Sequence, residues 1–136
     1  MKSTLPFDIE ILLRALADRT RLRLLNLMGE REVCVCFFVE ILKTSQPKIS
    51  RHLAYLRRAG IVSSRRDGKW MHYRLIEPAD STAKRVLADV RSWLQADGAM
   101  ARERQRLEGI CCGTRTPSKL LLAPQPIPYT PISKRL

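Results

Sequence analysis

The stretch SQPKISRHLAYLRRAGIVSSRRDGKWMHYRLI, residues 45–76, changes its apolar periodicity at Gly60. Before this glycine the apolar residues recur at helical spacing, and after it they alternate in two runs separated by Asp67-Gly68. Helical spacing predicts an amphipathic helix, and Asp-Gly between alternating runs predicts a hairpin turn whose two central residues have positive φ. The stretch therefore predicts a helix followed by a two-stranded β-hairpin.

The predicted helix has recognisable ends and two different faces. Ser45 suits the N-cap, Pro47 falls in the first turn, where its missing N–H costs nothing, and Gly60 suits the C-terminal end. At about 100° per residue, Ile49 and Leu53 project to one side together with Leu56, and we expect this side to pack against the core. The other side carries Lys48, Arg51, His52 and Tyr55.

A second, shorter helix is predicted just before this one. The segment EVCVCFFVEIL, residues 32–42, is dense in apolar side chains, and we expect it to form a deeply buried helix that starts near Glu32. Lys43 and Thr44 then form a tight connection. A short helix, a tight turn and a capped helix make up a helix-turn-helix, and the hairpin that follows is its wing.

Further helices are predicted on both sides of this unit. Residues 7–16 form an amphipathic helix, and a second one runs from its N-cap, Asp18, to Gly29. A long helix resumes around Ser81, and Asp97-Gly98 bends or breaks it. Residues 114–136 hold five of the eight prolines and no acid, so we expect an extended or disordered basic tail.

The charge of the chain predicts a polyanionic partner. Its 136 residues, 45% of them hydrophobic, suffice for one packed core, and the net charge is +12. Nine basic residues and one acid lie between Lys43 and Arg74, within the helix-turn-helix and its hairpin. A generic solvated surface would spread this charge, so its concentration favours nucleic acid binding.

The remaining alternatives to DNA fit the sequence less well. No stretch approaches the roughly 18 continuous apolar residues of a membrane span, and Asp8 and Glu10 argue against a secretory signal. The exposed helix face lacks the clustered aromatic residues that stack on RNA bases. We therefore expect a soluble, cytosolic protein that binds double-stranded DNA and no membrane.

In this interpretation the capped helix is a recognition helix in the major groove, and the tip of the wing crosses the DNA backbone or enters a minor groove. Side chains near the start of the helix read base edges, and basic ones lie on phosphates. The predicted base readers are Gln46, Ser50 and His52, with Tyr55 on the same face, the phosphate contacts are Lys48, Arg51 and Arg57, and the wing contacts are Arg65, Arg66 and Lys69.

Four cysteines form two tight groups, Cys34 with Cys36 and Cys111 with Cys112. In a reducing compartment such groups indicate metal binding or redox chemistry, although Cys34 and Cys36 also fit the role of small buried hydrophobes. Residues two apart in a helix point about 200° from one another, so one ion could bind both sulfurs only by distorting the helix start. Ligand binding and DNA binding would then compete.

The CVC motif of EVCVCFFVEIL, followed by SQPKISRHLAYLRRAGIVSSRRDGKWMHYRL, resembles the ArsR/SmtB family of bacterial metal-responsive repressors, in its arsenical-responsive branch. The resemblance covers about residues 8–95. It implies a mainly α (α+β) winged helix-turn-helix with a two-stranded hairpin wing, and a homodimer joined by the N-terminal and long C-terminal helices. It also implies a repressor that leaves its operator when As(III) or Sb(III) binds cysteine thiolates, with no organic cofactor.

The resemblance includes one departure from the family pattern. The best-known members have a third cysteine three residues after the second, where this chain has Val39. Two sulfurs suit an organoarsenical such as methylarsenite, unless Cys111 or Cys112 supplies a third. The glycine-flanked pair, which we expect to be flexible, is also a candidate for the main sensing site, so all four cysteines are predicted metal ligands.

Other functions remain open for the same thiols. Cd(II), Pb(II) and Bi(III) are also thiophilic, and a redox-sensing repressor would use the cysteines to form disulfides. A thiol enzyme is not expected, because neither His52 nor His72 has a reason in the sequence to neighbour a cysteine. We assign residues 1–108 to a dimerising winged helix-turn-helix repressor domain and residues 109–136 to a cysteine-containing, proline-rich basic tail.

Overall fold

Six helices and a four-stranded antiparallel sheet make up the part of the chain that the computed structural model describes, residues 8–112, 117 and 120–128. The elements in chain order are α1 (Ile9–Leu16), α2 (Arg19–Met28), β1 (Arg31–Cys34), α3 (Val35–Leu42), α4 (Gln46–Arg58), β2 (Val62–Asp67), β3 (Trp70–Leu75), α5 (Ser81–Ala96), α6 (Gly98–Cys112) and β4 (Ile127–Pro128). Within these described ranges, no helix combines the length and the apolar character that crossing a membrane requires.

Aspartates cap the first two helices, as their short side chains allow. The carboxylate of Asp8 accepts the N–H of Ile11 at 3.2 Å at the start of α1, and the Asp18 carboxylate accepts the N–H of Arg21 at 3.0 Å at the start of α2. Helix α2 ends at Gly29, which has φ 50°. The predicted cap and stop of α2 are thus confirmed, while residue 7, the expected start of α1, lies outside the described residues.

The predicted helix-turn-helix is confirmed in α3 and α4. Lys43, with φ 51°, closes α3 in the left-handed conformation, and Ser45 occupies the N-cap position of α4 without a side-chain hydrogen bond. Gly60, with φ 77°, follows the end of α4, as expected. The side of α4 that faces the core buries Ile49, Leu53 and Leu56 completely.

The segment before α3 is a strand, so the expectation of a helix from near Glu32 is wrong. Strand β1 pairs antiparallel with β3, with Val33 opposite Tyr73 and Cys34 opposite His72. A short apolar run has no periodicity that separates a buried strand from a buried helix. The hydrogen-bonding partner on β3, about 40 residues away along the chain, decides the conformation instead.

The predicted wing is confirmed as the hairpin of β2 and β3, but its turn is shifted by one residue. Asp67 pairs with Trp70, so Gly68 and Lys69 are the two central residues. Gly68 has φ 60°, whereas Lys69 is not among the residues with positive φ. A positive φ at the first central residue alone is the pattern of a type II′ turn, so the expectation of two positive φ values is wrong.

Part of the C-terminal segment packs against the domain. Leu120 and Ala123 are buried, and β4 pairs with β1, with Arg31 opposite Pro128 and Glu32 opposite Ile127. The sheet order is therefore β2-β3-β1-β4, which extends the hairpin by two strands. Residues 120–128 are thus ordered against the core, and the other residues of the expected tail, apart from residue 117, lie outside the described ones.

Helices α5 and α6 are separate, which confirms the predicted break at Asp97-Gly98. Asp97 has extended backbone angles, and its carboxylate accepts the N–H of Met100 at 3.0 Å, which caps α6. Helix α6 packs on α2, where Arg23 donates to both carboxylate oxygens of Glu103 at 2.7 and 2.5 Å. Helix α6 continues without interruption past residues 108 and 109, where the sequence analysis divides the repressor domain from the tail. The division into these two parts remains a prediction.

The turn of the wing gives a stability prediction. In Gly68→Ala we expect the free energy of unfolding to fall by about 1 kcal/mol, because φ 60° strains any residue with a Cβ. Gly98→Ala is the control, since its backbone conformation is ordinary and its Cβ would only touch Arg102 at 3.5 Å. Urea denaturation of both variants measures the difference, and equal stability would contradict the turn geometry.

Candidate DNA interface and thiol site

The seven predicted DNA contacts on α4 include the four side chains that the helical projection placed opposite the core. Five of them are exposed and two are half-buried, whereas the opposite face is fully buried. This arrangement presents a polar, basic ridge to solvent, with the shape that a major groove accepts. The exposed residues are Gln46, Lys48, Arg51, Tyr55 and Arg57, and the half-buried ones are Ser50 and His52.

Two of these side chains are held by a residue of α2. Arg21 Nη1 lies 3.3 Å from His52 Nδ1, and the Arg21 guanidinium lies 4.6 Å from the centroid of the Tyr55 ring. The sequence does not single out Arg21, because it is one of several arginines at the start of α2. Only the packing of α2 against α4 reveals that it contacts the predicted DNA-reading face.

The basic residues of the wing are partly neutralised by an acid from β1. Arg65 donates to Glu32 Oε1 through Nε at 3.0 Å and through Nη2 at 2.5 Å, and Arg74 Nη1 donates to Glu32 Oε2 at 3.2 Å. Lys69 instead lies over the ring of Trp70, with 5.1 Å from its Nζ to the ring centroid. The count of basic residues in the segment 43–74 therefore overstates the positive charge that the wing presents to DNA.

Glu32 is buried, yet it is held in the charged form. Burial by itself would raise the pKa of its carboxyl, but the hydrogen bonds from Arg65 and Arg74 and the positive charge of Arg65 outweigh burial and lower the pKa below its ordinary value. Glu32 and Cys34 are two residues apart on β1 and so lie on the same face of the sheet. Through its ion pair with Glu32, Arg65 of the wing is held beside β1, the strand that ends in Cys34.

Cys34 and Cys36 are in contact without any distortion of a helix. Cys34 is the last residue of β1, with φ −69° and ψ 141°, and Cys36 is the second residue of α3. Their sulfur atoms are 3.1 Å apart. The expectation that one ligand must distort the helix to reach both thiols is wrong, because the chain turns from strand to helix between them.

The two thiols share a proton unequally. The Cys36 S–H donates to Cys34 Sγ, and this hydrogen bond, with help from backbone N–H groups of Val35 and Cys36, lowers the pKa of Cys34 to about 7 against the opposing effect of burial. The same hydrogen bond, burial and the charge on Cys34 raise the pKa of Cys36. At neutral pH a large fraction of Cys34 is therefore thiolate, the nucleophilic and metal-binding form of cysteine.

No third ligand adjoins this pair in the described part of the chain. Across residues 8–112, 117 and 120–128, no three side chains from His, Cys, Asp and Glu converge on a position that could bind one metal ion. Val39 is half-buried against the core. His72, opposite Cys34, is fully buried, and neither of its ring nitrogens has a hydrogen-bond partner among the described residues.

The second cysteine group lies at the end of α6. Cys111 is buried, and its sulfur is 3.9 Å from the carbonyl oxygen of Glu108. Because α6 extends to Cys112, the backbone of these two residues is helical, and the expectation of a flexible segment is wrong for them. The side chain of Cys112 lies outside what the structure describes, so a role for this pair remains a prediction.

Comparisons with known proteins agree on one family. The sequence pattern described as "Bacterial regulatory protein, arsR family" matches residues 18–64. The chain is 46% identical over 92 residues to "Arsenic resistance transcriptional regulator ArsR1" of Pseudomonas putida, covering 64% of this chain and 72% of that protein. It is 42% identical over 108 residues to "Probable mercury resistance operon repressor" of Streptomyces lividans, covering 78% of this chain and 75% of that protein.

A solved structure extends the similarity to the fold. HlyU from Vibrio cholerae N16961 superposes with a TM-score of 0.52 at 30% sequence identity, and the match covers 62% of this chain and 88% of that one. Both sequence relatives are regulators of transcription by their names, which agrees with the expectation that this chain is a DNA-binding protein and not an enzyme. The similarity thus agrees with the interpretation of α4 and the hairpin as a DNA-binding unit.

The proton shared by the two thiols can be measured. We expect the ultraviolet thiolate absorbance of the protein to rise in a step centred at about pH 7, which reports Cys34. Cys36→Ala removes the S–H group that donates to Cys34. Burial then raises the pKa of Cys34 without this opposing hydrogen bond, so the step should move to higher pH. Cys111→Ala is the control and should keep the step. An unchanged step in Cys36→Ala would show that the Cys36 hydrogen bond does not stabilise the thiolate.

Proposed function

The chain belongs to the arsR family of bacterial regulatory proteins, which are DNA-binding transcriptional repressors, and from this we propose that it leaves its operator when a trivalent arsenical or antimonite binds the thiolates of Cys34 and Cys36. The observation that carries the proposal is the 3.1 Å separation of the two sulfur atoms at the junction of β1 and α3. The expected inducers are As(III), methylarsenite and Sb(III).

The sulfur separation favours a pyramidal atom with a lone pair over thiophilic ions that prefer tetrahedral or linear coordination. With metal–sulfur bonds of about 2.3 Å, two sulfurs 3.1 Å apart subtend an angle of roughly 85° at the ion. The same bonds would need sulfurs about 3.8 Å apart for tetrahedral coordination and about 4.6 Å apart for linear coordination. A trivalent atom with a lone pair, whose bond angles are small, therefore requires the least movement of Cys34 and Cys36.

The reaction needs no change of oxidation state. Each As–OH group of methylarsenite is replaced by an As–S bond, so two thiols and one methylarsenite give the dithiolate product and two waters. When Cys34 is already a thiolate, the second water takes its proton from the solvent. Because the described residues offer no third thiol beside Cys34 and Cys36, methylarsenite fills the site, whereas arsenite or antimonite keeps one hydroxyl group.

The position of the pair supports a route from the ligand to both DNA-binding elements. Cys34 ends β1, which pairs with β3 of the wing, and it also occupies the N-cap position of α3, which packs against α4. We propose that an ion bridging Cys34 and Cys36 fixes the angle between the wing sheet and the helix pair. We propose that this angle differs from the one that operator DNA selects, so that the two ligands compete.

Operator binding is proposed to use α4 in the major groove and the wing beside it. The exposed face of α4 offers polar side chains for base edges and basic ones for phosphates. In the wing, Arg66 and Lys69 are exposed, while Arg65 would first have to leave Glu32. The proposed contacts are those predicted from the sequence. Among them, Arg65 can bind DNA only by breaking its ion pair with Glu32.

A homodimer is proposed from the apolar surface formed by α1, α2, α5 and α6. A groove of about 520 Å³ lies between these helices, and Trp93 and Leu13 beside it are 76% and 52% exposed. The family resemblance assigns its α1 and long C-terminal helices to the dimer interface. A second copy of the chain would cover these side chains and place two copies of α4 on one duplex.

A redox sensor is the second candidate, because the same short sulfur separation suits a disulfide between Cys34 and Cys36. Peroxide would oxidise the two thiols to one disulfide and be reduced to water. Operator release by peroxide in the absence of any metalloid would favour this function. Release by methylarsenite under reducing conditions would favour the first one.

Substitution of the cysteines tests the sensing site. We expect arsenite or methylarsenite to weaken the affinity of the wild type for DNA by about 5- to 150-fold, the range of typical allosteric couplings. Cys36→Ser, at the half-exposed position, should keep DNA binding and lose this release, and the Cys34→Ser, Cys36→Ser double variant should do the same. The matched control is Cys111→Ser, Cys112→Ser. If the variants at Cys34 and Cys36 kept full release and the Cys111→Ser, Cys112→Ser variant lost it, the sensing site would lie at the end of α6 instead.

Substitution of basic residues tests the DNA interface. Lys48→Ala, Arg51→Ala should weaken binding to all duplexes and lower the slope of log affinity against log salt by about two, one for each lost phosphate contact. Arg85→Ala, Arg102→Ala is the charge-matched control, with exposed positions on α5 and α6. Fluorescence anisotropy over a salt series gives both slopes. Equal slopes in the two double variants would contradict docking through α4.

A further inference from the structure

Arg21 is fixed in place by the C-terminal end of α1. Its Nε donates to the carbonyl oxygen of Ala15 at 2.8 Å, and its Nη2 donates to the carbonyl oxygen of Arg14 at 2.7 Å. Carbonyls in the last turn of a helix have no partner within the helix, and they attract positive charge. Two of the three guanidinium nitrogens are therefore occupied by α1, and the third, Nη1, is the one near α4.

The remaining nitrogen of Arg21 faces a ring nitrogen of His52. Nη1 lies 3.3 Å from His52 Nδ1, and a guanidinium can only donate hydrogen bonds. A proton on Nδ1 would point one donor at another, so this contact favours the tautomer that accepts at Nδ1 and carries its proton on Nε2. Asp18 Oδ1, which caps α2, lies 3.8 Å from Nδ1, a distance that suits an ion pair with a protonated ring but exceeds a hydrogen bond to a neutral one.

The same guanidinium also restrains Tyr55. It lies 4.6 Å from the centroid of the Tyr55 ring, a cation–π distance. His52 and Tyr55 are three residues apart on α4 and share its exposed face. One arginine that makes no predicted DNA contact thus limits the freedom of two side chains on the face that is proposed to read bases.

We propose that Arg21 is a positioning residue for base recognition, which fixes His52 as a hydrogen-bond donor through Nε2–H and aims it, with Tyr55, at the major groove. A donor at this position selects an acceptor on the base edge, and guanine offers two acceptors, N7 and O6, in the major groove. The proposal rests on the docking of α4 described above. It adds the chemical class of the base edge that His52 reads and the residue that sets it.

Nitrogen NMR of the imidazole tests the first step. The chain has two histidines, so comparison with His52→Gln assigns the signals. We expect the wild-type His52 to show an unprotonated Nδ1 and a protonated Nε2. Arg21→Met, which keeps a stem and removes every donor, should give a mixture of the two tautomers. A wild-type ring protonated mainly on Nδ1 would overturn the proposal.

Arg23→Met is the matched control for Arg21→Met. Arg23 also lies on α2 and makes a two-pronged ion pair, but with Glu103 on α6, away from α4. Its loss should lower stability without changing the tautomer of His52. Should Arg21→Met fail to fold, Arg21→Lys takes its place, and we expect a smaller change in the same direction because one ammonium cannot reach both α1 and His52.

Base preference tests the second step. The preferred duplex is selected with the wild-type chain from a random-sequence duplex library, and the base read by His52 is the one whose preference His52→Ala relaxes. We expect guanine there, and replacing it with 7-deazaguanine, which lacks the N7 acceptor, should weaken wild-type binding about three- to tenfold. His52→Ala should show no such loss, and Arg21→Met should show a reduced one. The salt slope of Arg21→Met should equal that of the wild type, because Arg21 touches no phosphate.

The outcomes separate this inference from the proposed function. If His52→Ala relaxes a base preference but Arg21→Met behaves as Arg23→Met does, the positioning role is wrong and the docking of α4 stands. A fall in the salt slope of Arg21→Met by about one would make Arg21 a phosphate contact, which also overturns the positioning role. If neither His52→Ala nor Lys48→Ala, Arg51→Ala changes DNA binding, the docking of α4 is wrong, and the inference falls with it.

Discussion

The backbone pairing of β1 with β3 is the constraint on which both functional surfaces depend. It makes the cysteine-bearing segment a strand of the wing sheet, and it places Cys34 opposite His72. Because the chain must leave the strand to enter α3, the two thiols fall on either side of a sharp change in backbone direction and meet. The same pairing puts Glu32 within reach of Arg65 and Arg74. A single ladder of hydrogen bonds therefore links the thiol pair, the wing and the start of the helix-turn-helix.

Charged side chains outside the predicted DNA contacts hold the side chains of the DNA-binding face in position. Glu32 holds two arginines of the wing, and Arg21 holds two side chains of α4, although neither residue lies among the predicted DNA contacts. Each interaction is partly shielded from water, so it is weakened by salt less than an exposed ion pair would be. Such contacts reduce the rotamer freedom that the reading side chains would otherwise lose on binding. The interface is thus partly preorganised before DNA arrives.

The thiol pair combines two properties that a sensor of thiophilic ions needs. Cys34 is fully buried, which protects its sulfur from oxidation by solutes. Cys36 is half-buried, so an ion can reach its sulfur from solvent. The hydrogen bond between them supplies a thiolate near neutral pH in a place where burial alone would suppress it. With two sulfurs close together and no third ligand among the described residues, the site favours small bond angles and low coordination numbers. Ion selectivity then follows from geometry as much as from the softness of sulfur.

The sequence by itself determined the helix-turn-helix, the hairpin, the caps at Asp18 and Gly29 and the break at Asp97, because each depends on residues adjacent in the chain. It also determined which face of α4 is buried, since that follows from spacing alone. Only the tertiary structure decided that residues 31–34 form a strand, that Cys34 and Cys36 touch, that Glu32 neutralises the wing and that Arg21 supports His52. Each of these contacts except the thiol pair joins residues more than 30 positions apart, and the thiol pair depends on a strand whose partner is equally distant. Local patterns carry no information about such partners, because a hydrogen bond or ion pair across the fold is satisfied by position in space rather than by spacing along the chain.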